Sequence, residues 1–137
     1  MLKQISVFVE NKPGKIHGIL DLLNKNGINL RALSIADTTD FGILRFIVDK
    51  PEETKQILSG AGHTAKITNV IAVKVPDVPG GLAKVLEIIK NSGHVIEYMY
   101  AFLGTKDNSA MVILRLDDME DGAAALVRGG IELAEEI

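Results

Sequence analysis

"VFVENKPGKI", Val7 to Ile16, carries a proline and a glycine where an apolar strand pattern gives out and an apolar helix pattern begins. "VKVPDVPGGL", Val73 to Leu82, has the same arrangement. Laying Pro13-Gly14 on Pro79-Gly80 shifts the chain by 66 residues, and the match runs far past the dipeptide. Ile16, Ile19, Leu20, Leu22 and Leu23 fall on Leu82, Val85, Leu86, Ile88 and Ile89, and each set marks one face of a helix. Gly27 and Gly93 follow, the residue type that best closes a last helical turn.

Beyond each glycine comes a β-rich run, "INLRALSIADTT" or "HVIEYMYAFLG", then a polar turn and a second run, "GILRFIVDK" or "SAMVILRLDD". Two such runs about a short turn predict a hairpin. "GTKDNS" is two residues longer than its counterpart, so the shift grows to 68 and Asp49 then lies on Asp117. A second helix is predicted from "PEETKQILSGAG" and "MEDGAAALVRGG", with Leu58 over Leu126 and Gly62 over Gly130. A short closing strand is expected around Thr64–Ile67 and again around Ile131–Glu135.

The order is strand, helix, strand, strand, helix, strand, given twice, with no flexible linker between Ile67 and Asn69. This predicts an α+β protein of two ferredoxin-like βαββαβ repeats, residues 1–67 and 68–137, each an antiparallel sheet with its helices on one face. A repeat of this size seldom gains more than about 3–5 kcal/mol from its own core, so the two are expected to pack together, side by side. Sheet pairing extended by a second chain would also cover strand edges that otherwise invite aggregation.

Of the 137 residues 47% are hydrophobic and 24% charged, a composition able to bury a core. Lys plus Arg number 15 against 18 Asp plus Glu, a net charge of −3, and there are only two Tyr and four Phe. A nucleic-acid partner is not expected, since neither a basic surplus nor stacking aromatics stand out. Cysteine is absent, which removes disulfides and thiolate chemistry and fits a reducing compartment. "MLKQISVFVENKPG" carries Glu10 and Lys12 where a signal peptide needs unbroken apolar sequence, and no stretch approaches the roughly 20 apolar residues of a membrane span. A cytoplasmic protein without membrane contact is the expectation.

Three properties coincide at the Pro-Gly junction. Glycine permits close backbone approach, proline presets a first helical turn, and the first amides of a helix have no partner within it. The junction suits an anion, in particular the carboxylate of a small molecule. The plainer alternative is an ordinary helix start in which Asn11 or Asp77 caps the free amides itself. Recurrence does not choose between them, because a duplicated fold duplicates its helix starts.

The stretches "ENKPGKIHGILDLLNKNGINL" (Glu10–Leu30) and "PDVPGGLAKVLEIIKNSGHVI" (Pro76–Ile96) resemble the ACT domains, small regulatory modules that bind amino acids. They look like that family's strand, Asp-x-Pro-Gly-x-Leu turn, helix and Gly-Ile-Asn approach to the second strand, and the element order extends the likeness over nearly the whole chain. The resemblance implies a free amino acid held between the first turn of one domain and the start of the second strand of an adjacent domain. The matching turn positions are Asn11, Pro13, Gly14 and Ile16, with neighbours Lys12, Lys15 and His17, and Asp77, Pro79, Gly80 and Leu82, with neighbours Val78 and Gly81. The matching strand positions are Asn29 and Leu30, and Val95 and Ile96. Backbone amides would hold the carboxylate, while Asn11, Asn29 or Asp77 would meet the amino group or side chain. Ile16, Leu82, Leu30 and Ile96 are expected as walls. The repeats depart from the pattern differently, with Asn11 where the family has Asp and Val95 where the first repeat has Asn29. The turn of the second repeat with Asn29 of the first is the more polar combination.

Other candidates have plain explanations. His17, His63 and His94 share no ligand spacing, so a metal site is not expected, although His17 stands in the first helical turn near the carboxylate position. Asp49, Asp117 and Asp118 precede helices and are read as caps, and Arg45 and Arg115 as residues of solvated strand faces. No catalytic residues and no cofactor are expected, for neither a nucleophile motif nor a phosphate loop appears. The leading expectation is a non-enzymatic amino-acid sensor, a homodimer that regulates an enzyme of amino-acid metabolism in trans. The alternative is a ligand-free oligomerisation module or a regulatory subunit of a biosynthetic enzyme. An acyl-phosphate phosphatase would need an arginine beside the turn, where only Lys12 and Lys15 are found.

Overall fold

The computed structural model describes residues 1–37, 39–103 and 108–137. Its elements are β1 (Leu2–Glu10), α1 (Lys15–Lys25), β2 (Leu30–Asp37), β3 (Phe41–Val48), α2 (Pro51–Gly60), β4 (Ala65–Pro76), α3 (Gly81–Asn91), β5 (Ile96–Leu103), β6 (Ser109–Leu116) and α4 (Met119–Arg128). Contacts divide the chain into Lys3–Thr68 and a second unit of Asn69–Ile137 with Met1–Leu2.

In the first unit the strand order is β2-β3-β1, with the opening of β4 beside β1 where the Phe8 amide donates to the Thr64 carbonyl at 3.3 Å. Alternation along β1 buries Ile5, Val7 and Val9 and exposes Lys3, Phe8 and Glu10. The antiparallel register sets Val7 opposite Leu44 and Ile5 opposite Phe46. Ile19 and Leu23 of α1 and Leu58 of α2 close over this face to complete one core. In the second unit the order is β5-β6-β4, and Val85 and Ile89 of α3 with Leu126 of α4 close over Ile71, Val73, Leu114 and Leu116. The β2–β3 register shifts between Leu30 and Ala32, and the β5–β6 register between Ile96 and Tyr98, so even the irregularity is repeated.

Two boundaries differ from the sequence reading. The closing strand of the first repeat and the opening strand of the second are one unbroken strand, the twelve-residue β4. Nothing in "AKITNVIAVKVP" interrupts the β pattern, so the backbone has no reason to turn. At the other end, the strand expected around Ile131–Glu135 is reduced to a bridge between Leu133 and Val73, supported by Lys74 N to Glu132 O at 3.2 Å and Ala134 N to Ala72 O at 2.8 Å. The hairpin insertion "GTKDNS" falls largely outside the described residues.

Candidate functional site

The β1–α1 and β4–α3 turns agree bond for bond. Lys12 N donates to Glu10 O at 2.8 Å and Val78 N to Pro76 O at 2.9 Å; Asn11 N donates to Asp40 O and Asp77 N to Asn108 O. Gly14 (φ 82°) and Gly80 (φ 83°) are the N-caps, in the left-handed region that other residues enter only with strain. Each glycine carbonyl receives the first helical bond, from Gly18 N and from Lys84 N. Pro13 and Pro79 therefore lie before the helices, not in their first turns, and they direct the chain into the glycine.

The side-chain cap expected from Asn11 or Asp77 is not formed: both are exposed, and neither reaches the helix. Among the described residues the amides of Ile16 and His17, and of Leu82 and Ala83, have no hydrogen-bond partner. These are the orphan donors of a helix start, and no side chain makes a cap hydrogen bond to either helix.

The side chains around the two turns differ. Lys12 forms an ion pair with Glu10 at 3.0 Å, and Lys15 follows Gly14 directly. The hydrogen bond from Lys12, then the charges of Lys12 and Lys15, hold the Glu10 carboxyl below its ordinary range. The second turn has no cation, and it exposes Asp77 and Val78. Residues 10–15 thus carry one net positive charge and residues 76–81 one net negative charge. Lys15 also lines an open groove of about 340 Å³ with Glu10, His63 and the half-open rings of Phe8 and Phe41 over Val9 and Ile19. His63 is half-buried in that groove. A second hollow, of about 400 Å³, is lined by Asn69, Arg115, Asp117 and their neighbours and includes no turn residue.

The expected walls have another duty. Ile16 and Leu30 pack on the first core and Leu82 and Ile96 on the second, so each presents only part of its surface. Within a unit, turn and strand start stand at opposite ends of an eleven-residue helix, about 16 Å long. One unit by itself does not bring them together.

The lead-ins to β2 and β5 are fastened by a device that the sequence reading missed. Asn29 N donates to the Asp49 carboxylate at 3.0 Å while Asp49 N donates to Asn29 O at 3.3 Å; Val95 and Asp117 repeat this at 3.0 and 3.2 Å. Asp49 and Asp117 are thus strand clasps and not the expected caps. The N-cap of α2 is Lys50, without a side-chain bond, and only Asp118 caps as expected, accepting from Asp121 N. Backbone donation from Val95 is the leading reason the Asp117 carboxyl lies below its ordinary range. Arg115 is half-buried on its strand face, where its guanidinium donates to Asn69 O at 2.8 Å and faces Glu97.

Among the described residues no group of His, Asp or Glu is placed to hold a metal ion, and no helix is long and apolar enough to cross a membrane.

A family model described as "ACT domain pair" matches residues 1–136. No curated protein matches the sequence. Among solved structures, protein BT0572 from Bacteroides thetaiotaomicron is 40% identical with a TM-score of 0.91, over 97% of this chain and 91% of that one. The regulatory subunit of aspartate kinase from Thermus thermophilus, in its ligand-free form, is 19% identical with a TM-score of 0.68, over 93% and 91% of the two chains. The corresponding subunit from Thermus flavus is 17% identical with a TM-score of 0.64, over 93% and 92%. The last two are likenesses of fold.

Proposed function

The chain belongs to the ACT domain pair family, and on that premise we propose that it binds a free amino acid through its Pro-Gly turns and thereby regulates a protein of amino-acid metabolism in trans. The observation that carries the reading is the pair of left-handed glycines, Gly14 and Gly80, each opening a helix whose next amides are unpartnered and uncapped. A carboxylate placed there accepts from Ile16 and His17, or from Leu82 and Ala83, and meets the positive end of the helix. Lys15 strengthens this at the first turn. The amino group and side chain of the ligand would be read by a strand start, Asn29–Leu30 or Val95–Ile96, of a neighbouring ACT unit, since a single unit holds turn and strand start apart. A homodimer is part of this reading, with an enzyme as the regulated partner, as for the aspartate kinase subunits of like fold. Regulation requires the ligand to favour one packing of these units over another.

One observation favours a second reading, a docking module without ligand. Leu33 and Ile35 on the edge strand β2, with Phe8 and Phe41, remain exposed in the first unit. Thermal unfolding with each standard amino acid in turn separates the two. A ligand at 100 times its dissociation constant adds about 2.7 kcal/mol and moves the midpoint by several degrees. A shift with one or a few amino acids, lost on replacing Gly14 and Gly80, supports the sensor; no shift with any supports the docking module.

A further inference from the structure

The lead-ins to β2 and β5 share their backbone clasp, but the residue before each is different. Ile28, 7% exposed, plugs the first core; the corresponding residue of the second repeat is His94. The His94 side chain is also only 9% exposed, yet both ring nitrogens face carboxylates: Nδ1 lies 3.1 Å from Asp117 Oδ1 and Nε2 lies 2.8 Å from Asp121 Oδ2. Asp117 comes from the β6–α4 junction and Asp121 from the first turn of α4, and these are the charged groups that act on the ring among the described residues. A neutral imidazole has one N–H and donates to only one of them; an imidazolium donates to both. Asp117 Oδ1 is also the oxygen that receives the Val95 amide. The proton on His94 therefore joins three segments, the lead-in to β5, the end of β6 and the start of α4.

We propose that His94 is a positioning residue: its protonated ring clamps the start of β5 to α4, so that the second repeat holds its binding strand in a proton-dependent way and the first repeat does not. The consequence for ligand rests on the sensor reading above, whereas the clamp itself does not. The hydrogen bond with Asp121 leads the causes that raise the His94 pKa, with Asp117 adding to it against partial desolvation. A group whose pKa is raised on folding contributes fully below its unfolded value, about 6.5 for histidine, and loses that contribution as pH rises through the higher folded value. Asp117, lowered on folding, contributes above its unfolded value of about 3.9 and loses it as pH falls through the lower folded one. The clamp is tightest between these limits and opens on the alkaline side.

Nuclear magnetic resonance of the full ligand-free chain between about pH 5 and pH 8.5, across the histidine titration range, tests it. His94 is expected to titrate above an ordinary imidazole. The Val95 amide should follow that midpoint and lose exchange protection severalfold above it, after correction for intrinsic rates, while the Asn29 amide stays level. Asp121→Asn, at an exposed site, should lower the midpoint, and His94→Ile, which restores the first repeat's residue, should abolish the response. An ordinary midpoint, or Val95 and Asn29 responding alike, overturns the proposal. If the clamp titrates as stated but no amino acid shifts the melting midpoint, the sensor reading fails and the clamp stands. If an amino acid binds with the same pH dependence in wild type and Asp121→Asn, the clamp has no part in binding and its coupling to the ligand is refuted.

Discussion

The two repeats differ least in backbone and most in charge. Gly14 and Gly80 agree within a degree in φ, and the turn bonds and strand clasps recur pairwise. Yet Lys12 and Lys15 stand where the second repeat has Val78 and Gly81, and Ile28 where it has His94. The duplicated backbone keeps the uncapped amides, and on the proposed reading the changed side chains set how strongly each turn attracts a carboxylate and how firmly each strand start is held. Equivalent frames need not be equivalent sites.

If the frames are equivalent, their cores should respond alike. Leu58→Ala and Leu126→Ala each remove a fully buried leucine from the same place in a helix, and each should cost about 2–5 kcal/mol in denaturant unfolding. A large difference between them would break the symmetry at its root. The next effect is asymmetric. A Cβ at Gly81 would run into the Pro76 carbonyl, whereas Lys15 occupies the same position of the first turn. Gly81→Ala should therefore destabilise by about 1–3 kcal/mol, while Lys15→Ala leaves the melting midpoint nearly unchanged. Substituting alanine for Gly14 or Gly80 meets open space but a forbidden dihedral, so each should cost about 1–2 kcal/mol and reduce amino-acid binding at its own turn. Smaller again is the charge effect: Lys15→Met should weaken binding at the first turn and flatten its dependence on salt, leaving the second as it was. The exposed Lys3–Glu52 pair marks the lower end, and Lys3→Ala should change stability by no more than about 0.5 kcal/mol.

Most of the frame was legible because it rests on local signals. Apolar residues at helical spacing identified α1 and α3, and the hairpins followed from paired β-rich runs around polar turns. What escaped notice depends on residues far apart in sequence. Asp49 and Asp117 look like helix caps because helices follow them, but a carboxylate beside a strand lead-in finds the amides of Asn29 and Val95, about twenty residues earlier, in a fixed geometry. His94 shares no ligand spacing with the other histidines, and its partner Asp121, 27 residues away, meets it only in the folded chain. The fusion of two strands into β4 hid for the opposite reason, since a repeat boundary suggests a break and the chain supplies none. The Pro-Gly turns were found from sequence, but not that their amides stand uncapped, because a cap in Asn11 or Asp77 is compatible with the same letters.

Whether those amides receive a carboxylate can be measured by following the backbone amide resonances of the whole chain while the amino acids that raise its melting midpoint are added. Binding at the turns requires Ile16 and His17, or Leu82 and Ala83, to shift in saturable fashion, with Asn29 or Val95 moving in step and the shifts lost in Gly14→Ala or Gly80→Ala. Saturable shifts confined to other parts of the chain, with all four amides still, would contradict it.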